Sequence, residues 1–371
     1  MRGKVAVLGG YGGIGSHVVR WLHRSGVPLR IGGRRLAAAR AFAATALDGM
    51  AECRIVDFRV VQSVREFVDG CQVLVNCAGP SRAIAPWVAR VAVEAGADYV
   101  DAAGDDLLHE QLFPAPYRLR GRTAVLSAGL SPGLTGLFPR AIAAACHADV
   151  YAVTVHFQLL DSFTRASADD YLGALADGHT TPHAAWRDGR RRKAALVRRV
   201  ERTLPFFSGE VTLLPRLTAE DERLARALGL TRGDWYAVVS GARLLSVLDR
   251  VRALPREEAA AALCRTSSLD LAGRGPLVKL VVQADGRHAG KPVTRTAVLH
   301  GPGKAVLSGA VTALTTLAVL RGQIPPGRHF AADVLDPCAI LRDIAGPAGP
   351  ARVTCTTTAI DAAQRIEEGR Q

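Results

Sequence analysis

Paired cysteines are missing from this chain. Its seven cysteines, Cys53, Cys71, Cys77, Cys146, Cys264, Cys338 and Cys355, form no C-x-x-C pair, and several lie in apolar runs. That excludes a disulfide framework and a zinc ribbon, and it points to buried thiols in a reducing compartment. Lysine is scarce as well. Of the 47 basic residues, Lys4, Lys193, Lys279, Lys291 and Lys304 are the lysines. The net charge of +13 is therefore carried by arginine. It reads either as attraction for an anionic partner or as an arginine-biased composition. No aromatic-interleaved basic patch accompanies it, so nucleic acid is not expected as a partner. Long apolar runs are lacking too. The stretch 305–320 is uncharged but short for a bilayer and carries Ser and several Thr, which suits a buried helix. The N-terminus runs straight into a strand pattern, with no signal-peptide core. The expectation is a soluble cytoplasmic protein. No metal-ligand cluster, Ser/His/Asp order, paired-carboxylate site or internal repeat stands out.

What is present is ample material for two cores. The chain has 371 residues, 49% hydrophobic and 22% charged, a globular composition. Its first stretch organises the rest. Val5–Leu8 reads as a buried strand, glycines follow, and an amphipathic helix continues through Val18, Val19, Trp21 and Leu22. Between them lies Gly10-x-Gly12-x-x-Gly15, a dinucleotide fingerprint with the strand and helix it requires. Gly10 is expected to permit the tight turn, Gly12 to admit a pyrophosphate, and Gly15 to let helix and strand pack closely. Tyr11, Gly13 and Ile14 complete the loop. The free N–H groups of the helix's first turn would face the anion.

The second strand, from Leu29, exits through Gly33, Arg34 and Arg35. NAD-binding proteins place an acid near this point to hold the ribose 2′-hydroxyl. Here no acid stands nearby, and a guanidinium fork suits a 2′-phosphate. The pattern favours NADP(H), the other reading being that these arginines begin the next helix, 36–46, and face water. Strands ending at Asp57, at Asn76–Pro80, at Asp101–Gly104 and at Gly129 alternate with helices. This predicts an α/β fold with a doubly wound parallel sheet of the Rossmann kind. Ligands in such sheets sit beyond the strands' carboxyl ends, so Asp57, Cys77, Ala78, Gly79, Pro80, Asp101 and Gly129 are candidates for one site.

The second half reads less regularly. Strands are expected over 150–160, 277–284 and 293–299, the last two joined by a turn around Asp285, Gly286 and Gly290. Helices are expected at 168–176, at 218–228 with Thr218 as N-cap, at 240–253, 256–264, 304–320 and 335–344. Pro325–Gly327 reads as a breaker, 351–358 as β-rich and the last residues as frayed. The run Arg187–Arg202 is strongly basic and reads as a loop and a helix face, either solvated or docking an acidic substrate, peptide or carrier. Proton donors are sought among His183, in a loop, His156, on a strand, and Asp101, at a strand end. For each, a structural role is the alternative. Asp105 and Ser131 read as helix caps.

Several stretches together resemble the saccharopine dehydrogenase family of NADP-binding oxidoreductases: 7–15, Gly32–Arg34, Val56 with Asp57, Val75–Pro80, Gly96–Asp101, Gly129–Leu134 and, more weakly, Gly322–Gly327. The resemblance implies a Rossmann domain over 1–130 and an inserted α+β substrate and dimerisation domain over 131–322. A C-terminal segment, 323–371, would return to the first domain. It also implies an NADPH-dependent enzyme, reducing a C=N bond of an amino-acid-like or peptide-borne substrate, with C=C or C=O reduction as alternatives. A catalytically silent NADP-binding protein is the reading outside enzymes. A homodimer is expected, because the apolar segments between Leu277 and Leu320 exceed what one small domain covers. The glycine loop and Asn76–Gly79 also resemble short-chain dehydrogenases. Those need Tyr-x-x-x-Lys, and none of the six tyrosines has lysine four residues later.

Overall fold

A run of apolar residues too short to be a helix and buried on both faces becomes a parallel strand. Four buried residues suffice for Val5–Leu8, Val73–Asn76 and Thr123–Leu126. The computed structural model describes residues 3–111, 121–201 and 203–363. They divide into two compact units, Met1–Leu134 with Ala305–Asp336, and Thr135–Lys304 with Pro337–Gln371. In the first unit β1 (Val5–Leu8), β2 (Leu29–Gly33), β3 (Ala51–Ile55), β4 (Val73–Asn76), β5 (Asp98–Asp101) and β6 (Thr123–Leu126) alternate with helices. These are α1 (Gly13–Arg24), α2 (Leu36–Ala46), α3 (Val61–Val68), α4 (Ser81–Glu94) and α5 (Asp106–Gln111). The strand Gly327–Phe330 adds in parallel beside β6. Across the sheet the order is that strand, β6, β5, β4, β1, β2, β3, all parallel. The order reverses between β1 and β4, the switch point of a doubly wound sheet. Every residue of β1, β4 and β6 is buried.

The helix Lys304–Leu320 is buried from Leu307 through Val319. Its body belongs to the first unit. A Cβ at Gly309 would lie 2.4 Å from Cβ of His17, so only glycine lets this helix meet α1 at that point. Thr312 Oγ1 donates to the Ala128 carbonyl (2.8 Å), and Ser308 Oγ accepts from Leu130 N–H (3.2 Å). The helix, one part of the apolar surface on which the dimer expectation leaned, is thus covered within the first unit. The domain division also differs from a boundary at 322. Residues 305–336 group with the first unit and 337–371 with the second. No helix among the described residues is long and apolar enough to cross a membrane.

The second unit is built on longer strands in a mostly antiparallel sheet. Its elements are α6 (Leu134–Ala145), β7 (Asp149–Leu160), α7 (Arg165–Ala176), β8 (Thr180–Pro182), β9 (Ala185–Arg187), β10 (Arg190–Arg192), β11 (Arg199–Glu201) and β12 (Val211–Thr218). After these come α8 (Ala219–Ala227), β13 (Arg232–Val239), α9 (Ala242–Arg250), α10 (Arg256–Leu271), β14 (Leu277–His288) and β15 (Lys291–Gly301). The order runs β10, β9, β13, β7, β14, β15 and a last strand, Arg352–Thr356, with β12 also on β13. Only the β13–β7 pair in that run is parallel.

Two expectations change here. Arg187–Arg192 is a hairpin, not a loop and helix face. Asp188 (φ 50°) and Gly189 (φ 75°) form a two-residue turn with both φ positive, the turn whose twist matches paired strands. The β14–β15 turn sits at Ala289 and Gly290, both also at positive φ, and the strands run through Asp285 and Gly286. Thr218 caps α8 through a reciprocal capping box with Asp221, as its sequence implies. Arg202 and the last eight residues lie outside the described set.

Candidate functional site

The glycine loop leaves β1 and enters α1 with its donors uncovered. Gly9, not Gly10, takes the left-handed conformation (φ 77°). Its N–H bonds the Gly32 carbonyl (2.8 Å), and its carbonyl accepts from Gly12 N–H (2.9 Å). Gly10 is needed for another reason: a Cβ there would meet Ile31 at 3.1 Å and Val19 at 3.2 Å. Gly15 packs closest, since its Cβ would lie 2.1 Å from the Gly9 carbonyl oxygen. Gly12 and Gly13 are exposed, and a Cβ at Gly13 would meet nothing within 4 Å. Half-buried Ile14 completes the first turn. No side chain caps α1 and no acid stands in its first turn. The open N–H groups and positive dipole end are therefore free for an anion.

The exit of β2 is shaped by Tyr11. Its hydroxyl accepts from Arg35 N–H (3.0 Å), and a Cβ on Gly33 would fall 2.4 Å from that hydroxyl. The place where an acid would hold a ribose diol is thus filled by a phenol ring. Arg34 and Arg35 are exposed. Neither takes part in an ion pair among the described residues.

One expectation fails at this exit, because an acid does stand nearby. Asp57 follows β3, the strand beside β2, and Val56 N–H bonds the Gly33 carbonyl (3.1 Å). Its carboxylate is already engaged. Arg59 donates through Nε (3.0 Å), through a terminal guanidinium nitrogen (2.7 Å) and through its backbone N–H (3.0 Å). These bonds, with a further contribution from Arg34, hold Asp57 down at a pKa of about 2.

Beyond β4 and β5 lies a closed polar knot. Asp101, 1% exposed, accepts from Tyr99 Oη (2.6 Å), Asn76 Nδ2 (3.1 Å) and the N–H groups of Ala103 and Gly104 (both 2.9 Å). Burial and the Asp101 carboxylate push the Tyr99 phenol well up, so it remains the donor. Asn76 Oδ1 in turn accepts from Ala78 N–H (3.1 Å) and sets the Cys77–Pro80 turn into α4. Burial, then Asp101, keeps the Cys77 thiol protonated. With four donors on it, Asp101 positions the two loops and has no lone pair free for proton exchange, which argues against its expected donor role. Gly129 is buried beneath the Ala102 carbonyl, 2.2 Å from where a Cβ would be, so close packing requires glycine there.

The two histidine candidates belong to the second unit. His156 is 4% exposed, stacks on Tyr236 (centroids 5.1 Å apart) and meets the edge of Phe207. Neither ring nitrogen has a hydrogen-bond partner among the described residues. Burial, and to a lesser degree Arg199, lowers its pKa to about 4, so it is neutral at physiological pH. His183 sits exposed at positive φ (58°) between β8 and β9, its Nδ1 3.2 Å from the Leu196 carbonyl. Much of the basic run is internally neutralised. Arg187 pairs with Asp234 (2.6 Å), Arg191 with Glu222, and Arg198 with Asp249 (2.7 Å).

The structure therefore gathers Gly9–Gly15, Arg34, Arg35, Asp57 and Asn76–Pro80 at the carboxyl ends of β1–β4, on both sides of the switch point. Sequence reasoning missed Gly9 and Arg59. A glycine directly after the apolar run Val5–Leu8 was the available signal for the first. For the second, an arginine two residues after a strand-end acid carries no signal by itself.

Comparison with known proteins accords with this geometry. Residues 5–128 match the family described as the saccharopine dehydrogenase NADP binding domain. The whole fold is similar to apo saccharopine dehydrogenase (L-Glu forming) from Saccharomyces cerevisiae, at 16% identity and a TM-score of 0.71, covering 96% of this chain and 100% of that one. An actinorhodin polyketide ketoreductase solved with NADPH matches over 28% of this chain and 53% of its own, at 22% identity and TM-score 0.25. Vestitone reductase from alfalfa (Medicago sativa) matches over 27% and 35%, at 17% identity and TM-score 0.23. No curated protein matches the sequence. Residues 5–128 thus match an NADP-binding domain, and the chain has the fold of the yeast enzyme.

Proposed function

We propose that this chain is an NADPH-dependent reductase of the saccharopine dehydrogenase kind, acting on a C=N bond of an amino-acid-like or peptide-borne substrate. The observation that carries the cofactor choice is the β2 exit. Tyr11 occupies the space an acid would need at position 33, while Arg34 and Arg35 stand free to meet a 2′-phosphate. Gly12, Gly13 and the uncapped start of α1 would hold the pyrophosphate, and the Cys77–Pro80 turn would border the nicotinamide side. The cofactor supplies hydride; the chain orients it and shields the reaction from water. The C=N choice draws on the likeness to the yeast enzyme, and C=C or C=O reduction are its alternatives. Free cysteines throughout the described chain support a cytoplasmic setting. A homodimer remains part of the proposal, without the buried helix Lys304–Leu320 as its support.

A second reading, an NADP-binding protein without turnover, is favoured by the donor candidates themselves. Asp101 is saturated and His156 is enclosed and neutral. Titration of the protein with NADPH and NADH, followed by NADPH oxidation with imine, enoyl and keto substrates, tests both readings. Tighter NADPH binding with turnover of an imine supports the first. Tight binding with no turnover of any substrate selects the second. Equal affinity for the two cofactors rejects the cofactor assignment.

A further inference from the structure

Arg34 can serve a 2′-phosphate only if no carboxylate claims it first. Asp57 is placed to do so. Strands β2 and β3 are in register with Gly33 opposite Ile55, so Arg34 and Asp57 leave adjacent strands one and two residues later. Left to itself, Asp57 would be a double obstacle. It would repel a phosphate dianion, and its carboxylate would draw the Arg34 guanidinium to itself. Arg59 removes both. Its guanidinium covers Oδ1 and Oδ2 in a fork, its own N–H adds a third bond, and Ser63 Oγ fixes the Asp57 backbone from the other side (3.0 Å).

We propose that Arg59 is a specificity-determining residue, which selects NADPH over NADH by occupying Asp57 and so leaving Arg34 unpaired. The inference rests on the NADP reading of the β2 exit. It assigns Arg59 an indirect part: it touches Asp57, not the phosphate. Three arginines and one acid on the loops after β2 and β3 leave two net positive charges, matched to a phosphate that carries nearly two negative ones. Without Arg59 the cluster holds one fewer charge and an acid free to turn toward Arg34.

The test is a double-mutant cycle on cofactor affinity, read by titration with NADPH and NADH on variants shown to unfold at the wild-type temperature. Arg59→Ala is expected to weaken NADPH about tenfold and to leave NADH unchanged or tighter. Asp57→Asn in the same chain should restore NADPH to within about threefold of wild type, because the obstacle has gone with its charge. Asp57→Asn alone is the fourth corner of the cycle and gives the coupling between the two residues. Three results would overturn the inference: equal loss of both cofactors in Arg59→Ala, which would make Arg59 a turn-holding residue; loss of NADPH with no rescue by Asp57→Asn, which would make it a direct phosphate ligand; and no change at all. A wild type that shows no preference for NADPH would instead reject the cofactor assignment itself, and it is measured first.

Discussion

Asp101 in the first unit and His156 in the second are buried alike, 1% and 4% exposed, yet their polar atoms fare oppositely. Among the described residues, the carboxylate collects four donors, whereas the imidazole collects none. The difference follows from where each stands on its strand. β5 has four residues, so Asp101 is both strand residue and strand end, and the turning backbone of Ala103 and Gly104 supplies N–H groups. β7 has twelve residues, and His156 lies in its middle, where the ladder already uses every neighbouring backbone group. Short parallel strands deliver polar side chains to loops that can satisfy them and to the site. Long strands place them on a face, where only other side chains can answer.

The sharpest way to break that contrast is to delete the carboxylate. Asp101→Ala leaves Tyr99 Oη, the Asn76 amide and two N–H groups without their acceptor. The expected loss is about 3–5 kcal/mol, from several buried groups each costing about 1–3 kcal/mol and relaxing together. Urea denaturation measures it. A loss below about 1 kcal/mol would show that the knot is not what holds these loops.

The histidine gives the next largest effect, and it appears with pH. Its folded pKa, about 4, lies below the unfolded value near 6.5, so between these values the unfolded chain binds the proton more readily. Stability from this group is complete above pH 6.5, falls as pH drops toward 4, and levels off below. The total is up to about 3 kcal/mol, since each tenfold difference in proton affinity between the folded and unfolded chain is worth about 1.4 kcal/mol. His156→Phe should remove that portion of the acid sensitivity while keeping stability at pH 7.5 equal or better, since no hydrogen bond is lost. Parallel pH profiles for the two proteins would contradict it.

The same contrast explains what could be read from the sequence. The first unit was legible because β1, β4 and β6 are apolar runs cut by glycine or by a polar strand end, so these strands and the helix 36–46 declare themselves, whereas β3, Ala51–Ile55, carries Glu52 and Arg54 and has no buried residue. The partners of Asp101 were not, because Tyr99 and Asn76 reach it from a strand position two residues away and from the neighbouring strand. In the second unit the Asp188–Gly189 turn was a readable hairpin signal, masked by the surrounding arginines, which suggested a solvated helix face. Those arginines find Asp234, Glu222 and Asp249 across 47, 31 and 51 residues, pairings no local pattern encodes. Lys304–Leu320 was legible as a buried helix but not as a partner of α1, because that depends on Gly309 meeting His17.

Within the first unit, the contrast between open and closed strand ends can be sharpened at Gly12. A Cβ there would approach only the Gly9 oxygen, at 3.1 Å, so Gly12→Val should fold. Its branched side chain would stand where a pyrophosphate must lie, and NADPH affinity should fall at least a hundredfold, about 2.7 kcal/mol. Unchanged affinity in a folded variant would remove the loop from the site. Arg34→Ala comes next. An exposed charge-assisted contact contributes roughly 1.5–3 kcal/mol, so NADPH should weaken about ten- to a hundredfold and NADH hardly at all. Added salt should reduce the wild-type preference in the same sense, because the discriminating interaction is electrostatic. An equal fall for both cofactors would assign Arg34 to the fold instead.

The smallest effect expected is at Tyr11, and it separates shape from hydrogen bonding at the same strand end. Tyr11→Phe keeps the ring over Gly33, so the position still has no room for an acid or for a tilted ribose. It removes only the oxygen that accepts from Arg35 N–H at 3.0 Å. That N–H belongs to the residue preceding α2, and water can reach it, so the lost bond costs at the low end of the usual range, about 0.5–1 kcal/mol. The backbone that aims Arg34 and Arg35 then has one fewer restraint. NADPH should weaken by about two- to fivefold while NADH stays level. Tyr11→Ala opens the space above Gly33 as well and should weaken NADPH further. If Tyr11→Phe and Tyr11→Ala weakened NADPH equally, the hydroxyl would be the operative group and the ring's exclusion of an acid would play no part in cofactor choice.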